Sequence, residues 1–304
     1  MMSLQDASVL VTGGAGLIGS HLVDALVDRG ARVTILDNLD EQTHPKGKPD
    51  WLNPKAKFIH GDCRSRDDWK KALTGVDLVF HQAAFGGFTP QLSQYLDSNA
   101  SGTALMFEVI RDHKLPIKKI VAASSQAVYG ESGYETKNGQ RIYPKTLRPL
   151  TQLKAGRFET EHAETGEVMK PILNPEDRPL HTETIYGISK LAEEKLVIGL
   201  GRHLGIPTVA LRYAVTYGPR QSLFNPYTGV VSIFSTQLLN DVAPVVYEDG
   251  EQTRDFLYVA DNVSANLLVM EKNEADYQVF NVGRGEPVSV NRLVNLLARY
   301  YQKN

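Results

Sequence analysis

Short apolar runs alternate with longer amphipathic stretches along this chain. Residues 8–12 form the first apolar run, and residues 32–36 a second that closes on Asp37. Residues 57–60, 76–81, 120–123 and 207–213 continue the series. Short apolar runs of this kind have the pattern of strands buried on both faces. Helical patterns lie between them: one after Gly19, with Leu22, Leu26 and Val27 on its apolar side, then 66–73, 99–113 and 186–203. Such alternation predicts an α/β fold, a doubly wound parallel sheet with helices on both faces.

The pattern breaks at residues 131–182, which are polar, of mixed charge and interrupted by Gly and Pro. An ordinary connection is much shorter, so this stretch reads as an insertion. Short strands are expected near 141–143 and 167–169. A lid over a site and a solvated excursion are both open readings. A second break follows residue 213. The dinucleotide-type half is expected to comprise 1–213 with 254–274, and a smaller C-terminal lobe 214–253 with 275–304. In that tail, 279–282 reads as a strand and 290–300 as an amphipathic helix.

The chemistry starts at the end of the first strand. Gly13, Gly16 and Gly19 recur at three-residue spacing ahead of a helix. Gly13 permits a tight turn, Gly16 lets a pyrophosphate approach the backbone, and Gly19 lets helix and strand pack closely. Leu17 and Ile18 open the helix, whose free N–H groups and partial positive charge suit phosphates. Asp37 stands at about the distance downstream where a carboxylate accepts hydrogen bonds from the adenosine ribose and repels a 2′-phosphate. The expected cofactor is therefore NAD rather than NADP, on a Rossmann-type sheet. Ligands of such sheets sit at the carboxyl ends of the strands, the edge that Gly13, Asp37, Asp62, Ala83 and Ser125 share.

Tyr186 and Lys190 are one turn apart on one helix face. The fifth strand delivers Ser124 and Ser125 at its end. An ammonium near a phenol favours the phenolate, which can take a hydroxyl proton as hydride leaves the same carbon. A serine hydroxyl can hold the same oxygen. Ser125, Tyr186 and Lys190 thus suit reversible alcohol–ketone chemistry beside a nicotinamide.

These residues, with Gly61-Asp62, His81-Gln82-Ala83-Ala84, Ser124 to Gly130, Tyr186-Gly187-Ile188-Ser189-Lys190, Tyr217 to Gln221 and Arg254 to Asp261, resemble the extended short-chain dehydrogenase/reductases. Within them the chain looks like the nucleotide-sugar epimerases and dehydratases. The resemblance covers nearly the whole chain. It implies that Asp62 holds the adenine, that Ala83 lines the cofactor groove, and that Lys190 binds the nicotinamide ribose. Asn38, Cys63, Gln82, Ala84, Asn99, Ser124 and Tyr213 complete the implied cofactor set. Arg254 resembles the arginine for the substrate diphosphate, with Arg220 as helper, and Ser125, Gln126 and Asn225 are implied on the sugar side. Guanidinium forks match phosphate oxygens.

Family 4,6-dehydratases carry an Asp-Glu pair where this chain has Gln126-Ala127. Eliminating water needs an acid and a base there, so redox at one carbon is the better reading. The insertion and the run from Asn225 to Val230 look most like the TDP-L-rhamnose 4-epimerase subgroup. Two departures stand out. Ala214-Val215 replaces the usual Phe-Asn, which removes a polar contact to substrate. The chain also ends sooner after the last helix than family members usually do. Three functions stay open: a nucleotide-sugar 4-epimerase, a nucleotide-sugar dehydrogenase or reductase, and a catalytically silent NAD-binding sensor or scaffold. A homodimer through the helices near Tyr95 and Tyr186 is implied by the resemblance.

Composition adds mainly exclusions. With 304 residues the chain can hold a large domain and a small lobe. Its net charge of −2 gives no reason to expect nucleic acid or an anionic membrane as partner. A single cysteine, Cys63, rules out a disulfide within the chain. No run is long and apolar enough to span a bilayer, and the first strand begins too early for a signal peptide, so the cytoplasm is expected. The eight histidines show no metal-ligand spacing, and no metal is expected.

Overall fold

The structure is a computed structural model that describes residues 3–223, 225 and 229–303. The first half runs β1 (Ser8–Thr12), α1 (Leu17–Asp28), β2 (Arg32–Asp37), β3 (Lys57–His60), α2 (Arg66–Leu73), β4 (Leu78–His81), α3 (Ser93–Tyr95), α4 (Gly102–Asp112) and β5 (Lys119–Ser125). The insertion contributes β6 (Gly133–Glu135), β7 (Arg141–Ile142), α5 (Leu150–Lys154) and β8 (Lys170–Ile172). Then come α6 (Ile185–Leu204), β9 (Thr208–Tyr213), β10 (Val215–Tyr217), α7 (Val230–Leu239), β11 (Thr253–Tyr258) and α8 (Val259–Glu271). The chain closes with β12 (Gln278–Val282), β13 (Pro287–Ser289) and α9 (Val290–Tyr300).

Seven strands form one sheet in the order β12-β9-β5-β4-β1-β2-β3, and every pairing in it is parallel. The period-two geometry of a strand sends successive side chains to opposite faces. Val9 and Val11 of β1 therefore join Leu22 and Leu26 of α1 and Leu267 of α8 in one core. Leu10 between them joins Trp69 of α2, Phe107 of α4 and Val197 of α6 in the other. This is why the central strands read as unbroken apolar runs, and it makes the sheet the middle of three layers.

Local signals set the helix ends. Thr184 caps α6 by accepting from the Gly187 N–H at 3.0 Å, and Gly205 ends it in the left-handed region at φ 68°. The helix expected from Asn99 begins earlier, at Ser93. It passes through a π-helical turn, Leu96–Ser101, before α4. Thr103 Oγ donates to the Asn99 carbonyl at 2.6 Å, which occupies one backbone acceptor in that turn.

Three boundaries differ from the sequence reading. β12, expected in the small lobe, is the edge strand of the main sheet beside β9. β11, expected in the dinucleotide-binding half, pairs with β10 and β13 in a separate three-stranded sheet. Short apolar strands carry no mark of which sheet they join; their partners decide. That small sheet packs with Phe234, Val290 and Leu293 in its own core. The strand expected at 167–169 is displaced to β8, which pairs with β6, while Val168 makes only an isolated bridge to Glu161.

The insertion is a folded unit. Its three strands lie in the order β7-β6-β8, around Arg178, which stacks on Tyr129 and Tyr143. It is tied to β12 by Asn281, whose N–H reaches Glu176 at 3.0 Å and whose amide reaches the Asn174 carbonyl at 2.7 Å. The Arg148–Glu248 ion pair at 3.2 Å joins it to the small lobe. Among the described residues no helix is long and apolar enough to cross a membrane.

Gly19 shows how tightly α1 sits on β1. A Cβ there would stand 2.1 Å from the Gly13 carbonyl oxygen. Gly19→Ala should therefore displace α1 and destabilise the protein by about 1–3 kcal/mol. Thermal unfolding should show a Tm lower by several degrees, and an unchanged Tm would refute the contact.

Candidate active site

A groove runs along the carboxyl edge of the main sheet. About 840 Å³ of space lies in it, open solvent at its mouth included, and its walls include Gly13, Gly16, Asp37, Asn38, Asp62, Cys63, Gln82, Ala83 and Ala84. These belong to the loops after β1, β2, β3 and β4, which the parallel order brings side by side.

The turn after β1 is built for close approach. Gly13 has φ 64°, and a Cβ on it would lie 2.8 Å from the Ala83 backbone. A Cβ on Gly16 would meet only the Gly13 carbonyl, at 3.4 Å, so its other side is open. No side chain caps α1. The first N–H groups of the helix, at Leu17 and Ile18, are therefore left to a ligand. Asp37 Oδ2 accepts from the Ala15 N–H and Oδ1 from the Leu39 N–H, each at 2.9 Å. Each oxygen keeps a second lone pair for ribose hydroxyls. Glycine turn, helix start and carboxylate thus fit an adenine dinucleotide.

Asp62 forms the next wall. Burial raises its carboxyl, but hydrogen bonds from Arg64 and Asn38 outweigh that and hold it below the usual carboxylate range. Its contacts are 2.7 Å to Arg64 Nη2 and 3.1 Å to Asn38 Nδ2. Cys63 is inert by comparison: burial, followed by the Asp62 and Asp37 charges, pushes its thiol up. Beside the groove, Gln42 ties the loop after β2 to the loop after β4. Its amide donates to the Phe88 carbonyl at 2.9 Å, and its carbonyl accepts the Phe88 N–H at 3.0 Å. Nothing in the sequence pattern marked this strap, since it joins loops 46 residues apart.

At the other end of the edge, the turn after β5 meets the start of α6. Gly187 is what allows it: a Cβ there would lie 2.7 Å from the Ala127 carbonyl oxygen. Ser125 and half-buried Gln126 are thereby brought to the N-terminal turn that carries Tyr186. Ser125 Oγ accepts from the Ala127 N–H at 3.1 Å, which shapes the turn. The Tyr186 ring lies against Gly86 of the groove, whose added Cβ would be 3.6 Å from it. Lys190 is fully buried, and its ammonium contacts Glu193 at 2.5 Å.

Several expected site residues stand behind the groove wall rather than on it. Asn99 is buried and bonded to the Phe85 backbone and to Ser189 Oγ at 2.9 Å. Ser124 Oγ donates to Glu194 at 2.7 Å. The Tyr213 hydroxyl donates to Gln82 at 3.0 Å and accepts from Asn266 at 2.7 Å. Burial pushes this phenol up, so it stays protonated. These side chains already have buried partners and hold the wall in shape. Gly19 likewise packs α1 instead of facing the groove.

Arg220 lies beside α1, where it forms an ion pair with Asp24 at 2.7 Å, both side chains partly exposed. Arg254 remains exposed and, among the described residues, its side chain donates only to the Thr253 carbonyl, at 2.8 Å; Asp255 instead accepts the Arg284 and Gly285 N–H groups. Asn225 is buried, but residues 224 and 226–228 beside it lie outside the described residues. No cluster of His, Cys, Asp and Glu among the described residues is arranged to hold a metal.

A groove with this lining at the carboxyl edge of a doubly wound sheet is that of a dinucleotide-binding α/β protein. Comparison with known proteins takes this further. The chain matches the NAD dependent epimerase/dehydratase family over residues 9–155 and 160–283, and it belongs to that family. It is 36% identical to a putative UDP-glucose 4-epimerase of Methanocaldococcus jannaschii, across 95% of this chain and 81% of that protein. It is 31% identical to dTDP-L-rhamnose 4-epimerase of Burkholderia thailandensis, across 96% of this chain and 81% of that protein. The UDP-glucuronic acid 4-epimerase of Bacillus cereus, solved with UDP-glucuronic acid and NAD, superposes with a TM-score of 0.77 at 26% identity, over 98% of this chain and 84% of that one. The chain is thus an NAD-dependent enzyme.

The Gln42 strap generates a prediction. Gln42→Ala removes two hydrogen bonds, worth about 1–3 kcal/mol together. Dissociation of NADH, followed by its fluorescence, should accelerate about tenfold. An unchanged rate would mean that the strap does not hold the cofactor.

Proposed function

We propose that the protein is an NAD-dependent nucleotide-sugar 4-epimerase. The observation that carries this reading is the meeting of the β5 turn with the start of α6. It sets the turn that follows Ser125 against the helix start that carries Tyr186, and Gln126-Ala127 in that turn offer neither an acid nor a base. Elimination chemistry has no titratable pair at that position, while redox at one carbon has what it needs.

NAD, held by the glycine turn, Asp37 and Asp62, supplies reversible hydride acceptance. The Tyr186 phenolate oxygen takes the proton of the C4 hydroxyl, becoming the phenol, and gives it back after the 4-keto sugar has turned over. Ser125 hydrogen-bonds the same oxygen and orients it. Lys190 supplies the nearby positive charge that favours proton loss from a phenol. Arg254, exposed and free of an ion pair among the described residues, is the arginine for the substrate diphosphate. TDP-L-rhamnose is the first sugar nucleotide to test, because a 31% identical relative carries that name. UDP-glucose follows, on the 36% identical relative.

A second copy of the chain is proposed to pack on the helices that carry Leu92, Leu96 and Ile188. These apolar side chains are exposed. Light scattering after size exclusion should give twice the chain mass, about 67 kDa from the 33.7 kDa chain. A monomer would end this part of the reading.

Proton NMR of product tests the reaction. Each sugar nucleotide is incubated with substoichiometric NAD. A C4 epimer exceeding the cofactor present is the expected result. Product capped at the amount of NAD, with NADH accumulating, would make the protein a dehydrogenase instead. Tyr186→Phe should lower turnover at least about 100-fold while NAD stays bound.

A further inference from the structure

We propose that Glu193 is a positioning residue for Lys190: it fixes the ammonium and offsets its charge, and so sets the field in which Tyr186 loses and regains its proton. The proposal rests on Tyr186 as the proton-transferring group.

The geometry carries it. Glu193 Oε2 lies 2.5 Å from Lys190 Nζ, and both side chains are 1% exposed. They sit three residues apart on α6, so the helix itself sets the pairing. Tyr186 is one turn before Lys190 on the same face. The second carboxylate oxygen, Oε1, is buried with no hydrogen-bond partner among the described residues. A half-satisfied buried carboxylate is a poor device for stability, because apolar side chains of similar volume fill such a place as well or better. What Glu193 does supply is a negative charge beside the one ammonium that Tyr186 depends on.

The surroundings isolate the pair. The other titratable or charged groups within electrostatic reach are Glu194 on the same helix, Cys63 after β3, His81 on β4 and Tyr213 on β9. Glu194 is already engaged twice by Arg212. His81 is held neutral: burial, helped by the Lys190 charge, pushes it down to about 3. Cys63 and Tyr213 are both pushed up and stay protonated. Burial also raises Glu193, to about 7, against the pull of Lys190.

The first measurement needs no substrate. Protein as purified is labelled with ¹³Cζ-tyrosine, and the Tyr186 resonance is assigned by its loss in Tyr186→Phe. Its titration is then compared in wild type and Glu193→Gln. Removing the negative charge should lower the Tyr186 midpoint by about 0.5–1 pH unit. The acid limb of the pH–rate profile should move the same way. Glu193→Asp keeps the charge at shorter reach, and it should give a smaller shift in the same direction if Glu193→Gln does not fold. A midpoint that stays put, or rises, in a folded variant overturns the proposal, even if thermal stability falls. An inactive protein that still shows the shift would instead sink the proposed reaction and leave this role of Glu193 standing.

Discussion

The buried pair Arg212–Glu194 holds the site together. The guanidinium donates to both carboxylate oxygens, at 2.9 and 2.8 Å, with the two side chains 3% and 1% exposed. Its third nitrogen reaches the Tyr129 hydroxyl at 2.7 Å and the Glu176 carbonyl at 2.9 Å. The Ser124 hydroxyl completes the Glu194 carboxylate. One ion pair thus fastens α6 to β9, to the end of β5, to the turn after it and to the insertion. Burial works against the guanidinium, but the Glu194 hydrogen bonds and charge outweigh it and raise its basicity. Losing one partner from such a pair costs about 3–5 kcal/mol, since the other is left buried and unpaired. More important for function, Tyr186 would lose its fixed position against the β5 turn.

Two adjacent glutamates on α6 therefore do different things. Glu194 is satisfied by a bidentate fork from Arg212 and by the Ser124 hydroxyl, and acts as a structural anchor. Glu193 meets a single ammonium and leaves one oxygen without a partner. The first pairing orders the helix; the second leaves an electrostatic balance that the reaction can use. Similar residues, one position apart, differ because the helix turns about 100° between them.

The cofactor end is held by weaker, more exposed contacts. The Gln42 strap and the Arg64–Asp62 pair lie near solvent, where hydrogen bonds and ion pairs contribute less. That division suits an enzyme whose catalytic end must stay rigid and whose groove must admit a dinucleotide. The insertion is fastened to this end of the sheet. Arg178 packs it onto Tyr129, and Asn281 ties it to the sheet edge.

The sequence by itself determined the sheet, the glycine turn and the Tyr–Lys spacing. All three follow from local rules: apolar runs make buried strands, glycines permit tight approach, and four residues make a helical turn. Gly13, Asp37, Asp62 and Ala83 could be read because each sits at a fixed offset from a strand end. The tertiary structure alone decided which sheet β11 and β12 join, because strand pairing is set by partners far away in the chain. It also decided that Arg220 turns to Asp24, and that Asn99, Ser124 and Tyr213 spend their polar groups on buried neighbours. Glu193, Glu194, Arg212 and Gln42 could not be assigned from the chain either. Charged side chains in an apolar strand or helix signal only that a partner exists. Which partner, and whether every lone pair is satisfied, is fixed by distances that only the folded chain creates.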